Sequence, residues 1–175
     1  MTREIVMFGA KVLRQIAKPV DDVDQEIKSL IRDLFDSMNS ADGVGLAAPQ
    51  IGVCKRVIVL DVSKQEGGAP PIALVNPRIV AKEGSVCGEE GCLSLPDLYA
   101  DVERAATIEV DAIDAEGGAF KFSASGYYAR VLQHEVDHLD GKLFIDHISS
   151  LKRQLMRGAL KRLKKEGEQW DRDHL

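Results

Sequence analysis

Long apolar runs are missing from this chain. No stretch approaches the ~20 residues that a membrane-spanning helix needs. The opening Met1-Thr2-Arg3-Glu4-Ile5 also lacks the apolar core of a secretory signal. The expectation is a cytoplasmic protein with no membrane partner. Cysteine is scarce as well. The three residues Cys54, Cys87 and Cys92 cannot all pair with one another, which argues against a disulfide scaffold and leaves each as a buried hydrophobe or a thiolate ligand. Internal repeats, low-complexity tracts and a regular βαβ alternation are absent. Surplus positive charge is absent too: the net charge of −5 argues against generic nucleic-acid binding.

What is present suits one globular domain. A chain of 175 residues, 45% hydrophobic and 29% charged, can bury a core and remain soluble, and residues 1–175 are expected to form a single domain. Charge is unevenly spread. Lys152, Arg153, Arg157, Lys161, Arg162, Lys164 and Lys165 crowd residues 150–175, either as the solvated face of a terminal helix or as a docking patch for a polyanion.

Ile27, Leu30, Ile31, Leu34, Phe35 and Met38 follow the i, i+3, i+4, i+7 rhythm of an amphipathic helix, with Asp22 and Asp24 as candidate N-caps. Ser40 to Gly45 reads as a loop. Arg56 to Val62 is rich in β-branched residues and predicts a buried strand. Ala73 to Val80 is extended around Pro77, which marks an edge or a bulge because proline donates nothing to a ladder. Thr107–Ile113 and Phe120–Phe122 flank a Glu116-Gly117-Gly118 turn as a hairpin. A helix is predicted from Gly126 to Leu139, ended by Gly141. A last helix starts near Ser149 or Ser150, with Leu151, Leu155, Ala159 and Leu163 as one apolar stripe. The fold class expected is α+β, built on antiparallel sheets.

Three strings carry chemistry. In His134-Glu135-Val136-Asp137-His138, two histidines four apart on a helix share one face and can share one ion. Glu135, beside that face, can take a proton from a water activated by the ion and later deliver it to a leaving amine. A polar surface helix is the bland alternative. Against it stand the apolar Tyr127 and Val131 on the face of the histidines. Catalytic sites of this kind use three protein ligands, and Cys92, in the glycine-flanked Glu90-Gly91-Cys92-Leu93-Ser94, is the candidate third, with Cys87 as a rival. Cys54, just before the strand at Arg56, reads as a small hydrophobe. The third string is Gly43-Val44-Gly45-Leu46-Ala47-Ala48-Pro49-Gln50. It is a tight loop that brings an amide donor, worth about 3–4 kcal/mol when aimed at a developing oxyanion.

In this order, the three strings resemble the signature motifs of the peptide deformylases, and the resemblance spans nearly the whole chain. It implies Cys92, His134 and His138 as metal ligands and Glu135 as the acid and base. Gln50 and the Leu93 N–H would stabilise the oxyanion. Val44, Gly45 and Gly91 match the substrate-binding segments, Tyr127 and Val131 the walls of the methionine pocket, and Arg104 a residue for substrate binding or for support of the ligands. The fold implied is a central helix carrying HExxH among antiparallel sheets, with an N-terminal and a C-terminal helix. The implied reaction is metal-dependent removal of the formyl group from N-formylmethionyl nascent chains, releasing formate. A Cys/His/His set suits zinc, iron or cobalt by ligand type; the resemblance implies ferrous iron (Fe2+), with zinc, nickel or cobalt as substitutes, and ribosome docking through the basic helix. Ala10-Lys11-Val12 stands where the family often has a proline-containing turn. Two competing readings are a general HExxH peptidase and a ribosome-docking protein with a structural metal. The second leaves Glu135 without a purpose.

Overall fold

Asp24 opens the first helix, α1 (Gln25–Ser40), by accepting the Ile27 N–H at 2.9 Å. Ile27, Leu30, Ile31, Leu34 and Met38 then bury one face of it. The computed structural model describes residues 1–175. Seven strands follow: β1 (Gly45–Ala47), β2 (Val57–Leu60), β3 (Ile72–Glu83), β4 (Val86–Cys92), β5 (Leu95–Arg104), β6 (Thr107–Ile113) and β7 (Ala119–Ser125). One antiparallel sheet has the order β1-β2-β3-β6-β7, while β4 and β5 form a separate two-stranded sheet. The helix α2 (Gly126–Leu139) comes next, then the terminal pair α3 (Ser150–Leu155) and α4 (Arg157–His174).

The pleat explains the layering. Along β2, Ile58 and Leu60 face a cluster with Leu132, Val136 and Leu139 of α2, whereas Val57 and Val59 face Leu30, Leu34 and Met38 of α1. The central sheet is thus buried on both faces, which is why β2 is a continuous apolar run. Burial of each large aliphatic side chain contributes about 1.5–3 kcal/mol. The β4–β5 hairpin packs Leu95, Ala100 and Val102 against Leu143, Phe144 and Ile145 and against Leu160 and Leu163 of α4. No helix is long and apolar enough to cross a membrane.

The architecture is the expected α+β arrangement, with the bulge expected at Pro77 and one difference at the terminal helix. Pro77 lies in β3 at a register shift with β6 between Val75 and Arg78, just past Val75, the last residue paired with β2, so the bulge and one-sided pairing together free proline from the ladder. Asn76 takes the positive φ of 49° there, and its amide is bonded to both the N–H and C=O of Val20 at 2.8 Å. The terminal helix is broken at Met156, so the four-residue rhythm does not carry one face across it. Leu151 and Leu155 of α3 are 67% and 81% exposed, while Leu163 of α4 is buried.

Candidate metal centre

A buried helix and the end of a hairpin meet at the site. One turn apart on α2, His134 and His138 have ring centroids separated by 5.0 Å. Cys92 ends β4, where the pairing with β5 slips between Gly91 and Cys92. Its Sγ lies 3.3 Å from Nε2 of His138. Sγ and one ring nitrogen of each histidine all fall within 4.8 Å of one another. The rival Cys87 is exposed on β4, and Cys54 sits by the Ile16 carbonyl, with neither in this cluster.

These donors fit one transition-metal ion. Glu90 Oε1 lies 2.9 Å from His134 Nδ1, which leaves Nε2 of that ring to ligate. One thiolate and two imidazole nitrogens are the three protein donors of a catalytic site that keeps a position open. Beside them Glu135 is 4% exposed, and its Oε2, also buried, has no hydrogen-bond partner. Burial pushes its carboxyl up to about 7, against the pull of His134. Burial also drives His138 well below the usual imidazole range, with the charge of His134 adding to it. His134 goes the other way: burial opposes its charge, but hydrogen bonds to Cys92 and Glu90 outweigh that and raise it.

Gln50 lies in the 3-10 turn Ala48–Ile51 and is 1% exposed. Its Oε1 accepts the Ala47 N–H at 3.0 Å, a donor that only the amide oxygen can meet, so Nε2 faces Ser94 Oγ at 3.2 Å and Cys92 Sγ at 3.5 Å. A cavity of about 310 Å³ opens over the site. Val44, Gly45, Gly91, Leu93, Tyr127 and Val131 line it together with Cys92, His134 and Glu135.

Arg104 does not line that cavity. It is 7% exposed and grips Glu90 with two bonds, Nε to Oε2 at 2.8 Å and a second nitrogen to Oε1 at 2.9 Å, then reaches Asp137 at 2.6 Å. Burial alone would raise Glu90, yet the bonds from Arg104 and His134 hold it at about 2. His147 also meets Asp137, at 2.8 Å. Sequence reasoning left Glu90, Asp137, His147 and Arg130 without roles. For Arg130 there was a signal: an arginine one turn before His134, on the helix face that its neighbours mark as buried.

The description "Polypeptide deformylase" belongs to the family whose sequence pattern matches residues 2–154. A peptide deformylase from Alkalilimnicola ehrlichii is 46% identical over 164 residues, covering 94% of this chain and 92% of that one. The crystal structure of a peptide deformylase from Legionella pneumophila superposes with a TM-score of 0.87 at 45% identity, covering 94% of this chain and 96% of that one. The crystal structure of peptide deformylase from Thermus thermophilus gives a TM-score of 0.88 at 43% identity, covering 95% of this chain and 99% of that one.

Proposed function

The chain belongs to the peptide deformylase family, enzymes that remove the N-formyl group from nascent peptides, and from that premise we propose a metal-dependent hydrolysis, releasing formate, at Cys92, His134 and His138. The observation that supports it best is the Cys92, His134 and His138 cluster, two of whose members, Cys92 and His134, line one cavity with the buried, unpartnered carboxylate of Glu135. The ion, when bound, supplies Lewis acidity and makes water a nucleophile at neutral pH.

The chain's own residues do the rest. Glu135 takes the proton of the attacking water on its carboxylate and hands it to the leaving amine; a carboxyl shifted toward neutrality suits both transfers. Gln50 Nε2 and the Leu93 N–H donate to the formyl oxygen as it gains negative charge. Val44, Gly45 and Gly91 hold the peptide backbone, and Tyr127 with Val131 receives the methionine side chain. Arg104, placed behind Glu90, supports His134 instead of touching substrate. The ion proposed is ferrous iron, replaceable by zinc, nickel or cobalt. The whole of residues 1–175 acts as one unit in the cytoplasm. Its substrates are N-formylmethionyl nascent chains, and the groove lined by Arg153, Arg157, Lys161 and Lys164 docks on ribosomal RNA.

Protein purified without oxygen and assayed for formate release from formyl-Met-Ala, with its metal quantified in the same sample, tests this. Iron near one per chain with formate release is expected. Full activity with zinc alone would overturn the choice of ion, and activity in a metal-free sample would overturn the mechanism.

A further inference from the structure

Arg130 lies one turn before His134 on α2 and is only 8% exposed. A buried guanidinium is costly unless its N–H groups are met. Here NH1 donates to Glu90 Oε2 at 2.8 Å, to Val102 O at 2.7 Å and to Gly88 O at 3.3 Å, and NH2 donates to Val86 O at 2.7 Å. Glu90 does not need this arginine for charge balance, since Arg104 already grips it with two bonds. What Arg130 adds is direction. It adds a second bond to Oε2, which Arg104 Nε also meets, while Oε1 meets the other Arg104 nitrogen and Nδ1 of His134.

The contacts run in step along two elements. On α2 the residues are Arg130, His134 and His138; on β4 they are Gly88, Glu90 and Cys92. Arg130 meets Gly88 and Glu90, His134 meets Glu90, and His138 meets Cys92 at 3.3 Å. Gly88 is part of the fit, because a Cβ there would lie 3.1 Å from both Cζ and Nε of Arg130.

We propose that Arg130 is a positioning residue for the metal site: it locks the strand bearing Cys92 onto the helix bearing His134 and His138, and orients His134 through Glu90. This rests on Cys92, His134 and His138 being the ligands. Partners of this kind, once removed, weaken metal binding about 10–100-fold.

The test is titration of the metal-free full chain with cobalt(II) against a competing chelator, following the thiolate-to-cobalt absorption, for the parent, Arg130→Met, Arg130→Lys and Gly88→Ala. Arg130→Met is expected to bind cobalt(II) about 10–100-fold more weakly with a shifted absorption band, and the other two to fall between it and the parent. Should Arg130→Met fail to fold, Arg130→Lys decides, since it keeps the charge but cannot make the forked bonds to Glu90, Val102 and Val86, and parental binding with an unchanged band would then overturn the proposal. A folded Arg130→Met protein that binds cobalt(II) within about twofold of the parent, with an unchanged band, would overturn the proposal even if its melting temperature fell, because its expected loss is at least about 10-fold. Parent and Cys92→Ser proteins with identical cobalt(II) spectra would instead overturn the ligand assignment beneath it.

Discussion

Gly45 and Glu135 are packed so closely that a Cβ on Gly45 would fall 2.6 Å from Oε1 of Glu135. The edge strand β1 therefore presses bare backbone against the proposed acid and base. Gly45→Ala should displace the carboxylate and lower kcat/KM for formyl-Met-Ala about 10²-fold, the low end of what a positioned acid–base group contributes. Metal content should be unchanged. A variant with parental kcat/KM would show that the close approach has no catalytic consequence.

Gln50 is locked by its Oε1 bond to Ala47, so its Nε2 has one direction in which to donate. Gln50→Ala should reduce kcat about 10²–10³-fold with little change in KM, as expected for a donor that acts chiefly in the transition state. A rise in KM at constant kcat would assign Gln50 to ground-state binding instead.

Asp146 offers a pH test away from the site. Burial opposes its charge, but bonds from Arg14 at 2.6 and 3.1 Å and from the Leu143 N–H at 2.9 Å outweigh that and hold its carboxyl below the usual range. A depressed folded pKa means that its stabilisation is present above the ordinary carboxylate pKa and is lost as pH falls through the folded value. The side chain is 29% exposed, so the effect should be about 1 kcal/mol or less. Asp146→Asn should lower the melting temperature at neutral pH and leave it nearly unchanged well below about pH 4, as followed by thermal melts across that range.

Charge reversal should separate docking from catalysis. Arg153→Glu with Arg157→Glu and Lys161→Glu alters the groove beside Phe8 without touching the buried Leu160 and Leu163. Co-sedimentation with ribosomes should be lost at moderate salt while formate release from formyl-Met-Ala stays parental. Undiminished co-sedimentation would remove the docking role.

Much of this was legible in the sequence because it is local. The α1 periodicity, the Asp24 cap and the limits of α2 from Gly126 to Leu139 follow from spacing and end signals. The β4–β5 hairpin was not legible as strands, since glycines and charges at Gly88, Glu89, Glu90 and Gly91 hide its alternation. Whether Pro77 marked an edge or a bulge was left open because strand pairing is a long-range property: it sits at a bulge against β6, just past the end of the β2 pairing. Likewise the broken terminal helix cannot be read from a four-residue rhythm that continues through Met156.

At the site, the HExxH string offered two donors and left Cys87 as a rival to Cys92, while the family resemblance implied Cys92, the cysteine that lies beside His138 in the fold. Both cysteines lie on β4, but Cys87 is exposed while Cys92 ends the strand against His138. Most of the network beneath was hidden. Arg104 was expected only from the family resemblance, and Arg130, Glu90 and Asp137 had no role of their own in the sequence, yet folding buries most of the surface of all four together.

The most direct test of the central claim is formate release from formyl-Met-Ala by metal-loaded Glu135→Gln, compared with the parent at equal metal content. One bound ion per chain with a rate lower by at least about 10²-fold is the expected result for loss of the acid and base. A fully loaded Glu135→Gln protein working at the parental rate would contradict the account.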